Sequence, residues 1–596
     1  MKLKPGLVKC VLLSHLLLFG AVLPILAQNN QENPDTKQAK VSGKVTDEKD
    51  SPVSGVSIQV KGGNVIAVTD NDGNFSVTVA NGTVLQFTST GYGVYEYVVK
   101  KAETISVKLG VDAKSMEDVV VVGYGTQKKR AVTGSVVSVG YEQFKDRSFS
   151  NVAQSLAGSI PGVNITSSQG APGFGPTIKI RGTSSLTAGS TPLYVVDGMA
   201  LENFDLNLIN PQDIQSVDIL KDAASSAIYG SRGANGVILI TTKLGRSGKP
   251  QVNLSYEYGL SHVNRKVDMM DAQQWINYYI DARNNAWVLL DPVNNRATDD
   301  NTRRASAGKN YLIPPDFLTN PAQFGKGTDW QDAVFRTAST TNAQLSINGG
   351  TDKTSYLFSL GYLNQEAVVI KNFYKRLVLR SNIRQKVSDH ITAGLNLSFT
   401  GAHDRTDGTT GKSDAISLAI QSDPIFPEYN ENGNLGFLDP NSTWKRFQTY
   451  GVQLWNPHSL IDYADKLNKT YNTLANAYLE IKPVKDLLVK GSLSGNLTSN
   501  NYNWYWVSGQ GYGYSSVLPA QASARNSLNL NWQAEATATY TKKIGEHSIG
   551  AIAGYSSQKN RYEGTNVNAT NFPNDLVRTI NAAGTVTKAA SGNSTE

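Results

Sequence analysis

From residue 252 onward the chain repeatedly alternates apolar and polar positions. In "VNLSYEYGL", Val252, Leu254, Tyr256, Tyr258 and Leu260 fall on one face, and Asn253, Ser255 and Glu257 fall on the other. A period of two is that of a strand whose two faces meet different media. The same alternation recurs at 343–347, 356–362, 377–383, 391–399, 473–481, 487–497, 528–540 and 549–555, which predicts about nine strands. The connections alternate as well. "NGGTDKTS", "RQKVSDH", "KPVKD" and "TKKIGEH" are short, whereas the segments after Leu260, Tyr362, Phe399, Leu497 and Tyr555 are longer. Short turns at one end and long loops at the other, with one face apolar, are the pattern of a membrane β-barrel. A soluble sandwich shares the alternation but has little reason to keep this rhythm.

Upstream the pattern changes. Residues 192–243 read as strand, turn, irregular segment, strand, short helix, Gly-rich turn and strand. A compact, charged, turn-rich unit directly ahead of a barrel fits a lumenal plug. Residues 41–110 alternate short strands with Gly, Asn and Asp turns, with Val56, Ile58 and Val60, then Phe75, Val77 and Val79, on one face each, which predicts a small β-sandwich. The "DNDGN" run at 70–74 lacks the downstream acid of a calcium loop and lies between strands, so a hairpin turn is predicted. Between these units, Glu117 and Asp118 precede Val119, Val120, Val121, Val122 and Gly123 in a polar linker. This run has high strand propensity and no internal partner in view. It reads either as a strand offered to another protein's sheet or as an ordinary strand of a neighbouring domain.

At the start, Lys2, Lys4 and Lys9 precede an apolar run over 11–26 that closes on Ala27 before a polar linker at 28–40. This predicts a secretory signal over 1–27, cleaved near Ala27. The single cysteine, Cys10, lies inside that signal, so disulfides are not expected. No later stretch reaches the roughly 18 apolar residues of a membrane helix. Composition adds little: 53 Gly and 27 Tyr suit a turn-rich β protein, and the net charge of +7 is scattered except at Lys128, Lys129 and Arg130, which gives no support to nucleic-acid binding. The histidines show no metal-ligand spacing, "GTTGKS" at 408–413 has Thr406 where a phosphate loop needs its first Gly, and no nucleophile elbow appears. An enzyme, a metal and a cofactor are therefore not expected.

Several motifs carry a family resemblance. "GKVTDE", "PVSGVSIQVKG" and "TDNDGNFSV" resemble the carboxypeptidase regulatory-like domain, which places it at 41–110. "EDVVVVGYGTQKK", "IPGVNI", "IKIRGTSSL", "PLYVVDGM" and "NPQDIQSVDILKDAASSAIYGSRGANGVILITTK" together resemble the TonB-box linker and plug of SusC/RagA-type TonB-dependent outer-membrane transporters. The resemblance implies a linker with a TonB box over 111–126 (Glu117 to Gly123), a plug over 127–247 and a barrel over 248–596. Its plug motifs fall on Arg181, Gly182, Asp197, Gly198, Lys221, Asp222, Tyr229, Gly230, Arg232, Asn235 and Gly236. It further implies import of oligosaccharides or peptides across the outer membrane, driven by TonB with its ExbB/ExbD motor and shared with a SusD-like surface lipoprotein.

The expected fold class is an all-β dominated multidomain chain: a regulatory-like sandwich, a small α/β plug and an incomplete antiparallel barrel of about nine strands, where plugged transporters have 22. The closing "GTVTKAASGNSTE" reads as a polar tail, so the chain is expected to be the N-terminal portion of a longer importer or a truncated product. Arg376, Arg380 and Arg384 share the polar face of one strand and are candidates to meet plug acids such as Asp218 or Asp222; a solvated channel wall is the alternative. Tyr502, Trp504, Trp506, Tyr512 and Tyr514 in "NYNWYWVSGQGYGY" read as a loop able to stack on sugar rings or peptide side chains, with interface anchoring or loop packing as the alternative. A passive or adhesive outer-membrane protein is the rival class. A signalling receptor is disfavoured by the sandwich at the N-terminus.

Overall fold

The computed structural model describes residues 38–595 apart from short stretches, the longest of which are 111–118, 129–135, 144–150, 183–188, 295–300, 407–413, 434–446 and 509–518. The signal segment and the "GTTGKS" stretch lie outside the described residues. The chain divides into two compact units, Met1–Val119 and Val120–Glu596. No described helix is long and apolar enough to cross a membrane.

The first unit is built from β1 (Gln38–Thr46), β2 (Ser57–Val60), β3 (Val65–Val68), β4 (Asn74–Ala80), β5 (Val84–Thr88), β6 (Tyr95–Val98) and β7 (Glu103–Lys108). They form two sheets, ordered β4-β1-β7 and β3-β2-β5-β6. Val41, Val56, Ile58, Leu85, Phe87 and Val107 are fully buried between them, and Phe75 meets Phe87 edge-on at 5.1 Å. β1 lies parallel to β7. A Cβ on Gly43 of β1 would sit 1.9 Å from the Ile105 carbonyl oxygen, so glycine is what lets the two backbones approach. The "DNDGN" run is a turn: the Asp70 carboxylate accepts the backbone N–H groups of Asp72 and Asn74 at 3.0 and 2.7 Å.

The valine run forms β8 (Val119–Val122), which pairs with β9 (Gly125–Lys128) as a two-stranded sheet. A local partner therefore exists that the sequence did not disclose. Glu117, Asp118 and Gly123 lie outside the described residues.

The plug comprises β10 (Val136–Gly140), β11 (Val163–Thr166), β12 (Thr177–Ile180), β13 (Leu193–Val196), β14 (Met199–Leu201), β15 (Ile214–Leu220) and β16 (Val237–Thr242). Five of these make one sheet in the order β10-β15-β16-β13-β14, and β11 pairs with β12. β13 and β16 are parallel neighbours at the sheet's centre, and their continuous apolar runs are buried on both faces. Tyr194, Val196, Ile238 and Ile240 enter one core, while Leu193, Val195, Val237 and Leu239 enter another. Short helices Val152–Leu156 and Ala223–Ser226 start at Asn151 and Asp222, whose side chains accept from Ala153 and Ser225 N–H.

The remaining strands are β17 (Gly248–Ser261), β18 (Ala338–Gly350), β19 (Thr354–Glu366), β20 (Phe373–Lys386), β21 (Ile391–Arg405), β22 (Ala464–Val484), β23 (Leu487–Trp506), β24 (Gln521–Ile544), β25 (His547–Thr570) and β26 (Thr585–Thr595). Each is antiparallel to the next, in sequence order, and the sheet is open. All nine expected strands are present. A tenth, β26, occupies the segment read as a polar tail. Its sequence lacks an alternating apolar row, but its backbone pairs with β25 from Thr570 back to Arg561. The connection after Tyr362, expected to be long, is only residues 367–372 because β19 continues to Glu366.

Register aligns the outer face. Leu254, Leu345, Leu360, Leu379 and Phe399 are successive cross-strand partners, and all are exposed large hydrophobics. This is the lipid-facing row. A transmembrane strand needs roughly 9–11 residues, whereas β24 and β25 each run 24. The excess carries these strands beyond the hydrocarbon at the long-loop end. There the long connections supply helices such as Ala272–Leu290, whose Ala272, Ile276 and Tyr279 join Phe317, Phe324, Trp330, Phe426 and Phe447 in a separate core.

Among the described residues, β17 keeps one edge without a neighbour, and so does β25 over His547–Asn560, which β26 does not reach. An unpaired backbone group in hydrocarbon costs several kcal/mol, so residues 1–596 expressed alone are expected to be degraded or to aggregate. Heat-modifiable migration of membrane fractions on a denaturing gel checks this. A folded, protease-resistant membrane monomer of this chain would contradict it.

Candidate functional site

The inner row of the sheet is polar because its parity is opposite to the lipid-facing row, and the plug rests on it. On β20, Arg376 and Arg380 are 3% and 6% exposed, so they are not a solvated wall. Arg376 donates to the backbone carbonyls of Asn207 and Ile209 at 2.6 and 3.3 Å. Arg380 donates to the carbonyls of Asp213 and Lys243 at 3.3 and 3.4 Å and to the Thr242 hydroxyl, and its guanidinium lies 3.6 Å from the Asp197 carboxylate. The plug acid that pairs with Arg380 is therefore Asp197. Asp218 is occupied by Ser216 within the plug, and Asp222 caps a helix. Arg384 is half-exposed and pairs with Glu480 of β22 at 3.2 Å.

Asp197 is shaped for this role by its turn. It joins β13 to β14 with Gly198, and both have positive φ (48° and 92°), as a two-residue Asp-Gly hairpin turn requires. Its carboxylate accepts the Thr242 N–H and hydroxyl at 2.9 and 2.5 Å, which ties the turn to the end of β16. Beside it, Asp213 is buried, and one carboxylate oxygen accepts Gln344 Nε2 of β18 at 2.8 Å. Burial pushes the Asp213 carboxyl above its usual range, against the pull of Arg380. Burial likewise pushes Lys243 down to about 8, against Asp213, and its ammonium sits 3.3 Å from the Tyr141 ring centroid.

The other plug motif residues mostly close the plug on itself. The Arg181 N–H donates to the Gly162 carbonyl at 3.2 Å, and Lys221 Nζ reaches the Pro161 carbonyl at 2.9 Å. Tyr229 is buried in the second plug core, and Asn235 Nδ2 reaches the Thr191 carbonyl at 3.3 Å. Gly182, Gly230 and Gly236 adopt positive φ at turns. Arg232 instead reaches the wall, donating to Gln558 Oε1 of β25 at 2.5 Å. Gln533 of β24 bridges to the backbone N–H of Ala200 at 3.1 Å and Gln558 to the Ala200 carbonyl at 3.0 Å.

Between the plug and β22–β25 lies a cavity of about 530 Å³. Its wall includes Asn468, Thr470, Asn496, Asn500, Asn529 and Asn560, and its floor includes Glu202, Asp205 and Arg232 of the plug. Sequence reasoning missed this wall. The signal was there, in the Asn and Thr positions alternating with apolar ones along β23 and β24, but only register brings them to one place. The aromatic candidates divide. Tyr502, Trp504 and Trp506 belong to strand β23, not to a loop, and share the parity of Asn496, Thr498 and Asn500, so they continue the lumenal row beyond the cavity. Trp504 and Trp506 rings lie 6.2 Å apart, and Arg525 stacks 5.9 Å from Tyr502. Tyr512 and Tyr514 lie outside the described residues. Among the described residues no group of three or more His, Cys, Asp or Glu is arranged to hold a metal ion.

A turn-rich α/β plug seated by buried arginines on the polar face of an up-and-down sheet defines a TonB-dependent receptor. Comparison with known proteins agrees: residues 128–237 match the TonB-dependent Receptor Plug Domain, and residues 41–121 match the CarboxypepD_reg-like domain. TonB-dependent receptor P3 of Formosa agariphila is 32% identical over 587 residues, 97% of this chain and 52% of the relative. The TonB-dependent receptor SusC of Bacteroides thetaiotaomicron is 33% identical over 432 residues, 69% of this chain and 39% of the relative. In fold, the chain is similar to the RagAB peptide importer in its open-open state, with a TM-score of 0.66 at 23% identity, over 80% of this chain and 53% of that one. The chain is a SusC/RagA-like TonB-dependent receptor, and it spans about half the length of the curated relatives it matches.

Arg380 offers a direct test of the seat. Removing one partner of a buried pair costs about 3–5 kcal/mol, so Arg380→Ala in the assembled receptor is expected to lower the urea midpoint for plug release and to open the plug to protease. Adding Asp197→Asn should recover part of the loss. An unchanged midpoint in Arg380→Ala would contradict the assignment.

Proposed function

We propose that this chain belongs to an energised importer of the outer membrane, in which TonB and its ExbB/ExbD motor displace the plug so that an oligosaccharide or peptide passes. A SusD-like surface lipoprotein is the proposed partner at the long-loop end, and export through a signal cleaved near Ala27 is the proposed route to the membrane. The observation that carries this reading is the seat itself. The plug is held mainly by hydrogen bonds and a few buried charges on a polar wall beside a cavity, with Leu474 of β22 packed against its apolar core. Polar contacts of this kind can be exchanged for water, so a pull that releases the plug has little apolar interface to separate.

The energy-coupling strand in this proposal is the TonB box, Glu117 to Gly123. Val119–Val122 already adopt strand geometry, and among the described residues β8 has a neighbour on one side only, in its two-stranded sheet. A free edge is what strand addition requires. A passive or adhesive protein would keep its activity when residues 117–123 are deleted, whereas an energised importer loses uptake.

Proline at Val121 removes one backbone donor and fixes φ. A peptide spanning 115–129 carrying Val121→Pro is expected to bind the C-terminal domain of the cognate TonB at least tenfold more weakly than wild type, and Val121→Ala within about threefold. Calorimetric titration measures this. Equal affinities for all three peptides would mean that the run is an ordinary linker strand.

A further inference from the structure

Resting on that importer reading, we propose that the cavity above the plug is a binding site for uncharged, polyhydroxylated cargo, a neutral oligosaccharide, and that peptides and acidic glycans are poor ligands there. The chemistry of the wall points to this. Register sets Asn496 opposite Asn531, Thr498 opposite Asn529, Asn500 opposite Ser527 and Asn531 opposite Asn560, a lattice of neutral side chains across three strands. Every residue that the sheet contributes to the cavity is uncharged, from Asn468 on β22 to Tyr562 on β25. Charge enters only from the plug floor. There Arg232 is engaged by Gln558, and Asp205 accepts the Asn207 N–H at 2.9 Å.

An amide both donates and accepts, as a sugar hydroxyl does, so such a wall satisfies a hydroxylated ligand in many orientations without a counter-ion. A carboxylate or ammonium group entering the same space loses hydration and meets no partner on the sheet side. Part of the wall is already spoken for: Thr470 donates to Asn500 Oδ1 at 2.8 Å, and Asn472 donates to Asn496 Oδ1 at 2.7 Å. Asn529 Oδ1, Asn560 Oδ1 and Trp504 Nε1 are left without a hydrogen-bond partner. Beyond the amide lattice, the same inward row of β23 continues as Tyr502, Trp504 and Trp506, flat surfaces of the kind on which sugar rings stack. A cavity of about 530 Å³ lies within the usual range for small-molecule sites.

The test is calorimetric titration of the intact receptor in detergent. Three probe sets are used: neutral gluco-, xylo- and fructo-oligosaccharides of about six units, oligogalacturonates of similar length, and a mixed hexapeptide library. The expected result is saturable binding of at least one neutral oligosaccharide, weakened at least tenfold by Asn529→Ala/Asn560→Ala and by Trp504→Ala, with Trp504→Phe retaining most of it. Asn529→Asp/Asn560→Asp keeps side-chain volume while adding charge, and is expected to weaken binding without loss of the folded, heat-modifiable receptor. Binding of peptides or oligogalacturonates in preference to every neutral glycan, absence of binding by all neutral probes, or neutral binding unmoved by the alanine and aspartate variants overturns the proposal. Should the glycan bind while the wild-type 115–129 peptide fails to bind TonB, the importer reading falls and the cavity assignment stands.

Discussion

Everything in the second unit depends on the two-residue period of a strand placed between lipid and a polar lumen. Hydrocarbon offers no hydrogen bonds, so each spanning strand must find its backbone partners in its neighbours. Once the strands are in register, side chains have only two directions to take. Leu254, Leu345, Leu360, Leu379 and Phe399 share one direction and give the sheet its lipid face. The residues between them, Ser346, Ser359, Arg380 and Ser398, form the row on the other side. A one-residue slip would put Arg380 into lipid and Leu379 against the plug.

That inner row makes a removable plug possible. Arg376 and Arg380 mostly address backbone carbonyls, with Asp197 as the charged partner, so the seat reads the shape of the plug's turns more than its side chains. On the far side Gln533 and Gln558 hold the backbone of Ala200 from two strands, and Arg232 reaches back to Gln558. The plug is thus clasped at its Asp197–Gly198 turn and along β14 by neutral and charged donors. Its own apolar cores bury Ile238, Ile240, Val237 and Leu239, and Leu474 of the wall packs against one of them.

Much of this was legible in the chain. The alternation from Val252 to Leu260 announced the barrel because lipid imposes it on side chains, and the sandwich core at Val56, Ile58, Phe75 and Val77 followed from the same rule. β26 was not legible, since a strand outside the hydrocarbon is held by main-chain bonds to β25 that leave no mark on side chains. Tyr502, Trp504 and Trp506 were misplaced in a loop for the same reason: β23 runs past the apolar band. The partner of Arg380 was also beyond the sequence. Asp218 and Asp222, the acids expected there, are taken by Ser216 and a helix cap, and Asp197 meets the guanidinium instead. The asparagine wall was visible as residues but not as a surface, because only the register of β22–β25 assembles it.

The most direct measurement is a cysteine scan of three consecutive positions on β23, since residues 28–596 contain no cysteine. Asn496→Cys, Leu497→Cys and Thr498→Cys receptors are labelled with a fluorescent maleimide after assembly in membranes, and quenching is compared between lipid-dissolved and aqueous quenchers. Lipid quenching is expected at 497 alone and aqueous quenching at 496 and 498. Uniform quenching across the three positions, or the reverse alternation, would contradict this.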